Sequence, residues 1–128
     1  MGIKGLTNIQ IDKFAKKNIK NYYGCFAQTV KFTKKLPFTC SFIINTNDHW
    51  IPCFKKGNHI FIHDSFNRPS NKLTPIFIKE IKTLKLHYTD AKKDYTVQQH
   101  RKECNCGQRS ICWLMCIDSI GLKKSLLL

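Results

Sequence analysis

The chain has 128 residues, 42% of them hydrophobic, and 22 Lys and Arg stand against 8 Asp and Glu, a formal charge of +14 at pH 7. This length fits a single domain over residues 1–128, and apolar residues spread along the whole chain exclude a disordered protein. No apolar run approaches the roughly 18 residues that span a bilayer, Met1-Gly2-Ile3-Lys4-Gly5 lacks the hydrophobic stretch of a secretory signal, and Leu6 stands where a myristoylation motif needs Ser or Thr; a soluble, unlipidated, monomeric protein is expected.

In chain order, Leu6 to about Asn18 predicts a helix capped at Thr7 or Asn8, with Ile11, Phe14 and Ala15 on one face. The stretch from Tyr22 to Pro37 alternates turn formers with aromatics and reads as a long packed loop. Cys40–Asn45 is a β-branched and aromatic run expected to be a buried strand. Trp50–Lys55, a Gly57-Asn58 turn and His59–Asp64 complete an antiparallel meander. Leu73–Leu84 predicts a helix with Thr74 as N-cap and Pro75 at its first position. Tyr95–Gln99 reads as a short strand, and Ile111 to about Ile120 as a helix apolar nearly all round, hence buried at the centre of the fold. This order indicates an α+β domain with a small mixed or antiparallel sheet.

Seven cysteines, odd in number, irregularly spaced and without an export signal, fit reduced thiols in an intracellular compartment. Cys25, Cys40, Cys53, Cys112 and Cys116 lie in apolar stretches, where free cysteine acts as a small hydrophobe. The shortage of acids points to a polyanionic neighbour such as nucleic acid. Because Arg68, Arg101 and Arg109 are the only arginines, such binding should be sequence-blind and salt-sensitive.

Three features fall at element ends: Asp48-His49-Trp50, Asp64-Ser65-Phe66 and Asn105-Cys106-Gly107. An antiparallel hairpin sets the start of one strand beside the end of the next, so His49 and Asp64 can be neighbours. A cysteine at a helix N-terminus meets the positive end of the macrodipole, which favours the thiolate, and Gly107 leaves room for a peptide carbonyl. Asp64 would hold His49 in the tautomer that accepts the Cys106 proton. Gln99, seven residues before Cys106, would donate to an oxyanion alongside the Cys106 amide, with Gln98 as the competing choice.

These residues, in this order, resemble the adenovirus protease (adenain) and the related SUMO and ubiquitin-like-protein proteases, over about Phe42 to Met115. The resemblance implies a cysteine endopeptidase with a papain-like core in permuted order, a buried helix carrying the nucleophile, and cleavage after small residues in Gly-Gly or Gly-X-Gly sites. On the viral side, to which the Gln99–Cys106 spacing is similar, it implies maturation of virion proteins, DNA as an activator, and residence in the host nucleus and the virion. No cofactor is required by the sequence itself. Pro52, within a strand that family members fill with β-formers, suggests an edge strand or a bulge. Asn67 stands where the family commonly has glycine, and Leu86–Tyr95 lacks the cysteine that tethers the adenoviral peptide cofactor.

Three other readings compete. One is a cellular-type protease that deconjugates SUMO or another ubiquitin-like protein. A second is a zinc-containing nucleic-acid-binding module built on Cys104, Cys106, Cys112, Cys116 and His100, although its first pair, Cys-x-Cys, is tighter than zinc sites prefer. The third keeps the fold without catalysis, as a binder of ubiquitin-like protein or DNA. Trp50 is expected in the core or as a wall beside His49, and His59, His63, His87 and His100 as surface or hydrogen-bonding residues.

Overall fold

A computed structural model of the protein describes residues 7–46, 49–64, 68–91 and 106–125, with Cys106 and Gly107 described in the backbone alone. It is an α+β structure: α1 (Asn8–Asn18), β1 (Tyr22–Ala27), β2 (Thr39–Asn45), β3 (Trp50–Lys56), β4 (His59–Ile62), α2 (Ser70–Leu73), α3 (Pro75–Thr83), β5 (His87–Asp90), α4 (Cys106–Ile120) and α5 (Leu122–Ser125). The strands form one mixed sheet in the order β1-β2-β3-β4-β5. The expected meander is its antiparallel centre, β2-β3-β4, and parallel strands β1 and β5 flank it. Among the described residues no helix is long and apolar enough to cross a membrane.

Alternation along the central strands sends side chains to two cores. Ile43, Trp50 and Phe54 face α1 and α4, where they meet Ile11, Ala15, Ile111, Trp113, Leu114 and Ile117. Phe42, Ile44, Ile51, Cys53, Ile60 and Ile62 face α3 through Phe77, Ile78 and Ile81. On that second side Phe26, Phe32, Phe42 and Phe77 form a chain of edge-to-face rings 5.4–6.0 Å apart, which seats residues 28–38 against the sheet. Buried Glu80 of α3 accepts from the Phe32 amide at 3.0 Å and pins the same segment.

Several expectations are corrected. Thr7 caps α1 in a capping box with Gln10, as read, but Ile11, Ala15 and Ile19 form a narrow i, i+4, i+8 line against the sheet and leave Phe14 49% exposed. Part of the expected Tyr22–Pro37 loop is strand β1, paired on one side only. It contains Gly24 at φ 151°, where an added Cβ would come within 2.9 Å of the Phe26 ring. Strand β5 has no counterpart among the predicted elements, and the expected strand Tyr95–Gln99 lies outside the described residues. Thr74 holds the N-cap position of α3 with Pro75 in its first turn, but its hydroxyl donates back to the Ser70 carbonyl and does not cap. Helix α4 is one-sided: Ser110, Ile111, Trp113, Leu114 and Ile117 are buried while Cys112 is exposed.

Pro52 sits neither on an edge strand nor at a bulge, since β3 is the middle strand and its pairings run without a register shift. Continuing that register sets Pro52 opposite His63, whose amide donates to the Pro52 carbonyl at 3.2 Å. Proline cannot return the bond, so the β3–β4 ladder ends at this rung and the chain leaves the sheet at Asp64.

Phe77→Ala should lower stability by about 3–5 kcal/mol in urea unfolding, because it empties the buried place of the ring by which α3 meets Phe42 of the sheet. Phe14→Ala should cost well under 1 kcal/mol.

Candidate active site

The end of the sheet where β3 begins and β4 finishes collects the polar groups. His49 closes the β2–β3 connection, and its carbonyl accepts from the Thr46 amide at 2.9 Å and the Thr46 hydroxyl at 3.3 Å. Asp64 lies two residues past β4, and the register that pairs Cys53 with Ile62 gives His49 and Asp64 the same parity. Both are 5% exposed, and His49 Nε2 donates to Asp64 Oδ1 at 2.6 Å. With Nε2 carrying the proton, the neutral ring has Nδ1 as its acceptor nitrogen. The hairpin neighbourhood expected for the two residues is thus present, while Asp48 and Ser65-Phe66 beside them lie outside the described residues.

The second carboxylate oxygen is held by Arg68, whose backbone amide and Nε each donate to Oδ2 at 2.9 Å, with Nη2 reaching Oδ1 at 3.4 Å. Burial alone would raise the Asp64 pKa; the hydrogen bonds from His49 and Arg68 outweigh it and hold this carboxyl well below the usual carboxylate range. An ionised Asp64 in this position can orient the His49 ring through the Nε2 bond. Two residues further on, the Ser70 amide and hydroxyl both donate to Asp90 at the end of β5. The segment 68–70 is tied at one end to Asp64 and at the other to the sheet.

Helix α4 docks on the chain neighbours of this pair. Ser110 donates to the carbonyl of Trp50, next to His49, at 3.1 Å. Trp113 stacks on the ring of His63, next to Asp64, with centroids 4.9 Å apart and planes at 22°. His63 is therefore buried against α4, so of the two places expected for it, surface or hydrogen-bonding, the surface one is excluded, while Trp50 is in the core on the α4 face, as read. His59 bonds Thr89 through Nε2 at 2.6 Å and packs at a tilt against the Phe61 ring, near the other end of β4 from Asp64.

Of the remaining expected site residues, Cys106 is the first residue of α4, one helical turn before Ser110, and its side chain is outside what the structure describes. Gln98 and Gln99 lie outside the described residues, as do Asn67 and, from the zinc set, Cys104 and His100. Cys112 is exposed and Cys116 half-buried on α4, so the expectation of buried small hydrophobes holds for Cys40 and Cys53 and fails for Cys112. Burial pushes the Cys25 thiol up to about 12 and Cys40 to about 11, and it pushes Cys53 well above the ordinary value, so these three stay protonated near neutrality.

Sequence reasoning missed Arg68, Ser110 and the Ser70–Asp90 tie. Arg68 carried a usable signal, being one of three arginines in a lysine-rich chain and suited to grip a carboxylate with two donors at once. Ser110 carried a fainter one, a hydroxyl next to the apolar run of α4. Comparison with protein-family models finds no matching family, and comparison with curated proteins finds no matching relative.

The carboxylate geometry fixes a pH dependence. Because the folded-state pKa of Asp64 lies below its unfolded value of about 3.9, the ionised group contributes stability above about pH 4 and loses it as pH falls through the folded pKa. Asp64→Asn should therefore be less stable than wild type by about 1–3 kcal/mol near pH 6, with the gap narrowing below about pH 4 in urea titrations. A gap that does not vary with pH would contradict the ionised pair.

Proposed function

We propose that the protein is a cysteine endopeptidase of the adenovirus-protease type, with Cys106 as nucleophile, His49 as general base and Asp64 as the group that orients the base. The observation that carries this reading is the buried 2.6 Å bond between His49 Nε2 and Asp64 Oδ1 beside a helix whose first residue is a cysteine. Position 106 shares the helical stripe of Ser110, Leu114 and Ile117, the buried stripe that faces the sheet, so the start of α4 belongs to the same end of the sheet as His49. The chain order histidine, aspartate, cysteine supports a permuted papain-like core.

In this mechanism Sγ of Cys106 attacks the scissile carbonyl carbon while its proton passes to His49 Nδ1. The tetrahedral oxyanion is held by the Cys106 amide at the helix start and by the side-chain amide of Gln99, or of Gln98. Collapse breaks the C–N bond, His49 returns the proton to the leaving amine, and a thioester remains. Water, deprotonated by His49, then attacks the thioester, frees the carboxylic acid and restores the thiol. Asp64, anionic throughout, stabilises the imidazolium of both steps.

Substrates with Gly-Gly or Gly-X-Gly sites in virion or precursor proteins, and stimulation by DNA, follow from the sequence resemblance, and the charge of +14 agrees with the second. Free thiols at Cys25, Cys40, Cys53, Cys112 and Cys116 fit a reducing intracellular setting.

Purified protein should cleave a Gly-Gly-containing peptide, Cys106→Ala should abolish cleavage, and Asp64→Asn should lower kcat by about 100-fold or more with little change in KM. Equal cleavage by wild type and Cys106→Ala would sink the proposal.

A further inference from the structure

At the opposite end of the sheet from His49 and Asp64, β3 runs out at Lys56 and turns through Gly57-Asn58 into β4, while β2 begins just after Phe38. Phe38 is 72% exposed, an unusual place for a phenylalanine ring, and it is held there firmly. Its carbonyl accepts from the Gly57 amide at 2.8 Å, and its ring is in van der Waals contact with the site of the absent Gly57 side chain. Beneath it the buried Lys55 sends Nζ to the carbonyls of Pro37 at 2.6 Å and Phe38 at 3.4 Å, with no carboxylate among the described residues to pair it. A buried ammonium is costly unless hydrogen-bonded, and here its bonds fix the backbone that presents the ring to water.

Among the described residues the exposed charges at this sheet end have one sign: Lys34 and Lys35 precede Phe38 in the chain, Lys56 adjoins Gly57, and Lys85 leads into β5. The described carboxylates are all engaged elsewhere: Asp12 with the Tyr22 hydroxyl, Asp64 with His49 and Arg68, Glu80 with Phe32 and Lys31, Asp90 with Ser70, and Asp118 with the Lys20 amide. An exposed aromatic fixed at a sheet end that also carries exposed lysines matches what a single strand of nucleic acid offers, a stackable base between phosphates. A duplex offers the phosphates but keeps its bases stacked inside.

We infer that this end of the sheet binds single-stranded nucleic acid, with a base stacked on Phe38 and phosphates on Lys34, Lys35 and Lys56, roughly 20 Å along β3 from the His49–Asp64 pair. The inference rests on the reading of the excess charge as nucleic-acid-facing and adds the form of the ligand and its place.

Fluorescence anisotropy at low salt, with labelled oligo(dT) and a duplex of equal length, tests both levels. Phe38→Ala should weaken oligo(dT) binding at least about fivefold and duplex binding less than about twofold, and Phe38→Trp should retain the wild-type affinity. The triple change of Lys34, Lys35 and Lys56 to Gln should weaken both ligands and flatten the salt dependence of the single strand by about 0.7 for each phosphate that is no longer neutralised. The ring is mostly in solvent, so its truncation leaves folding intact, which circular dichroism would verify. Equal oligo(dT) affinity of wild type and Phe38→Ala, with the lysine variant weakened, overturns the stacking site and leaves the charge reading standing. No binding of either oligonucleotide overturns both. Phe38-dependent binding to phosphatidylserine vesicles in place of oligo(dT) also overturns the inference.

Discussion

The hydrogen bond from His49 to Asp64 depends on the alignment of β3 and β4, and most of the fold serves to fix that alignment. A one-residue slip would exchange the two faces of a strand, and neither core permits it, because Trp50 and Phe54 belong to the α4 side while Ile51 and Cys53 belong to the α3 side. Pro52 adds a stop: by withholding one amide it ends the ladder opposite His63, so that Asp64 leaves the sheet within reach of His49. Arg68 then occupies the second carboxylate oxygen, and Ser70 anchors the segment behind it to Asp90. The pair is thus over-determined by main-chain register, proline chemistry and a bidentate grip.

In the proposed mechanism, helix α4 turns this pair into a site. It does not contact the sheet at random positions, for its hydroxyl-bearing Ser110 and its indole Trp113 each touch the residue adjoining one member of the pair. In the proposed mechanism it is this helix that brings its N-terminal dipole and first residue to the imidazole. Burial raises the thiol pKa of Cys25, Cys40 and Cys53, which disfavours these three as the nucleophile of that mechanism.

How much of this was legible in the sequence follows from where the information resides. The central strands and the His49–Asp64 pairing could be read because Cys40–Asn45, Trp50–Lys55 and Gly57-Asn58 carry dense local signals of β-branching, aromaticity and turn chemistry. β1 and β5 could not: both are parallel flanking strands, β1 broken by Gly24 and β5 the short polar run His87–Asp90, and their strand state depends on a neighbour distant in sequence. Phe14 departs from expectation because hydrophobicity reports that a residue can be buried, whereas the narrow contact of α1 decides that only Ile11, Ala15 and Ile19 are. His63 and Ser110 acquire their roles only when α4 meets the sheet, a tertiary event that no local pattern announces.

The central claim is that His49 sets the reactivity of Cys106, and the pH dependence of thiol alkylation measures it most directly. With the modified residue mapped by mass spectrometry, Cys106 should alkylate fastest, with an apparent pKa below the free-thiol value of about 8.5, and His49→Ala should move that value back up toward it. Preferential modification of another cysteine, or a Cys106 profile that His49→Ala leaves unchanged, would contradict the account.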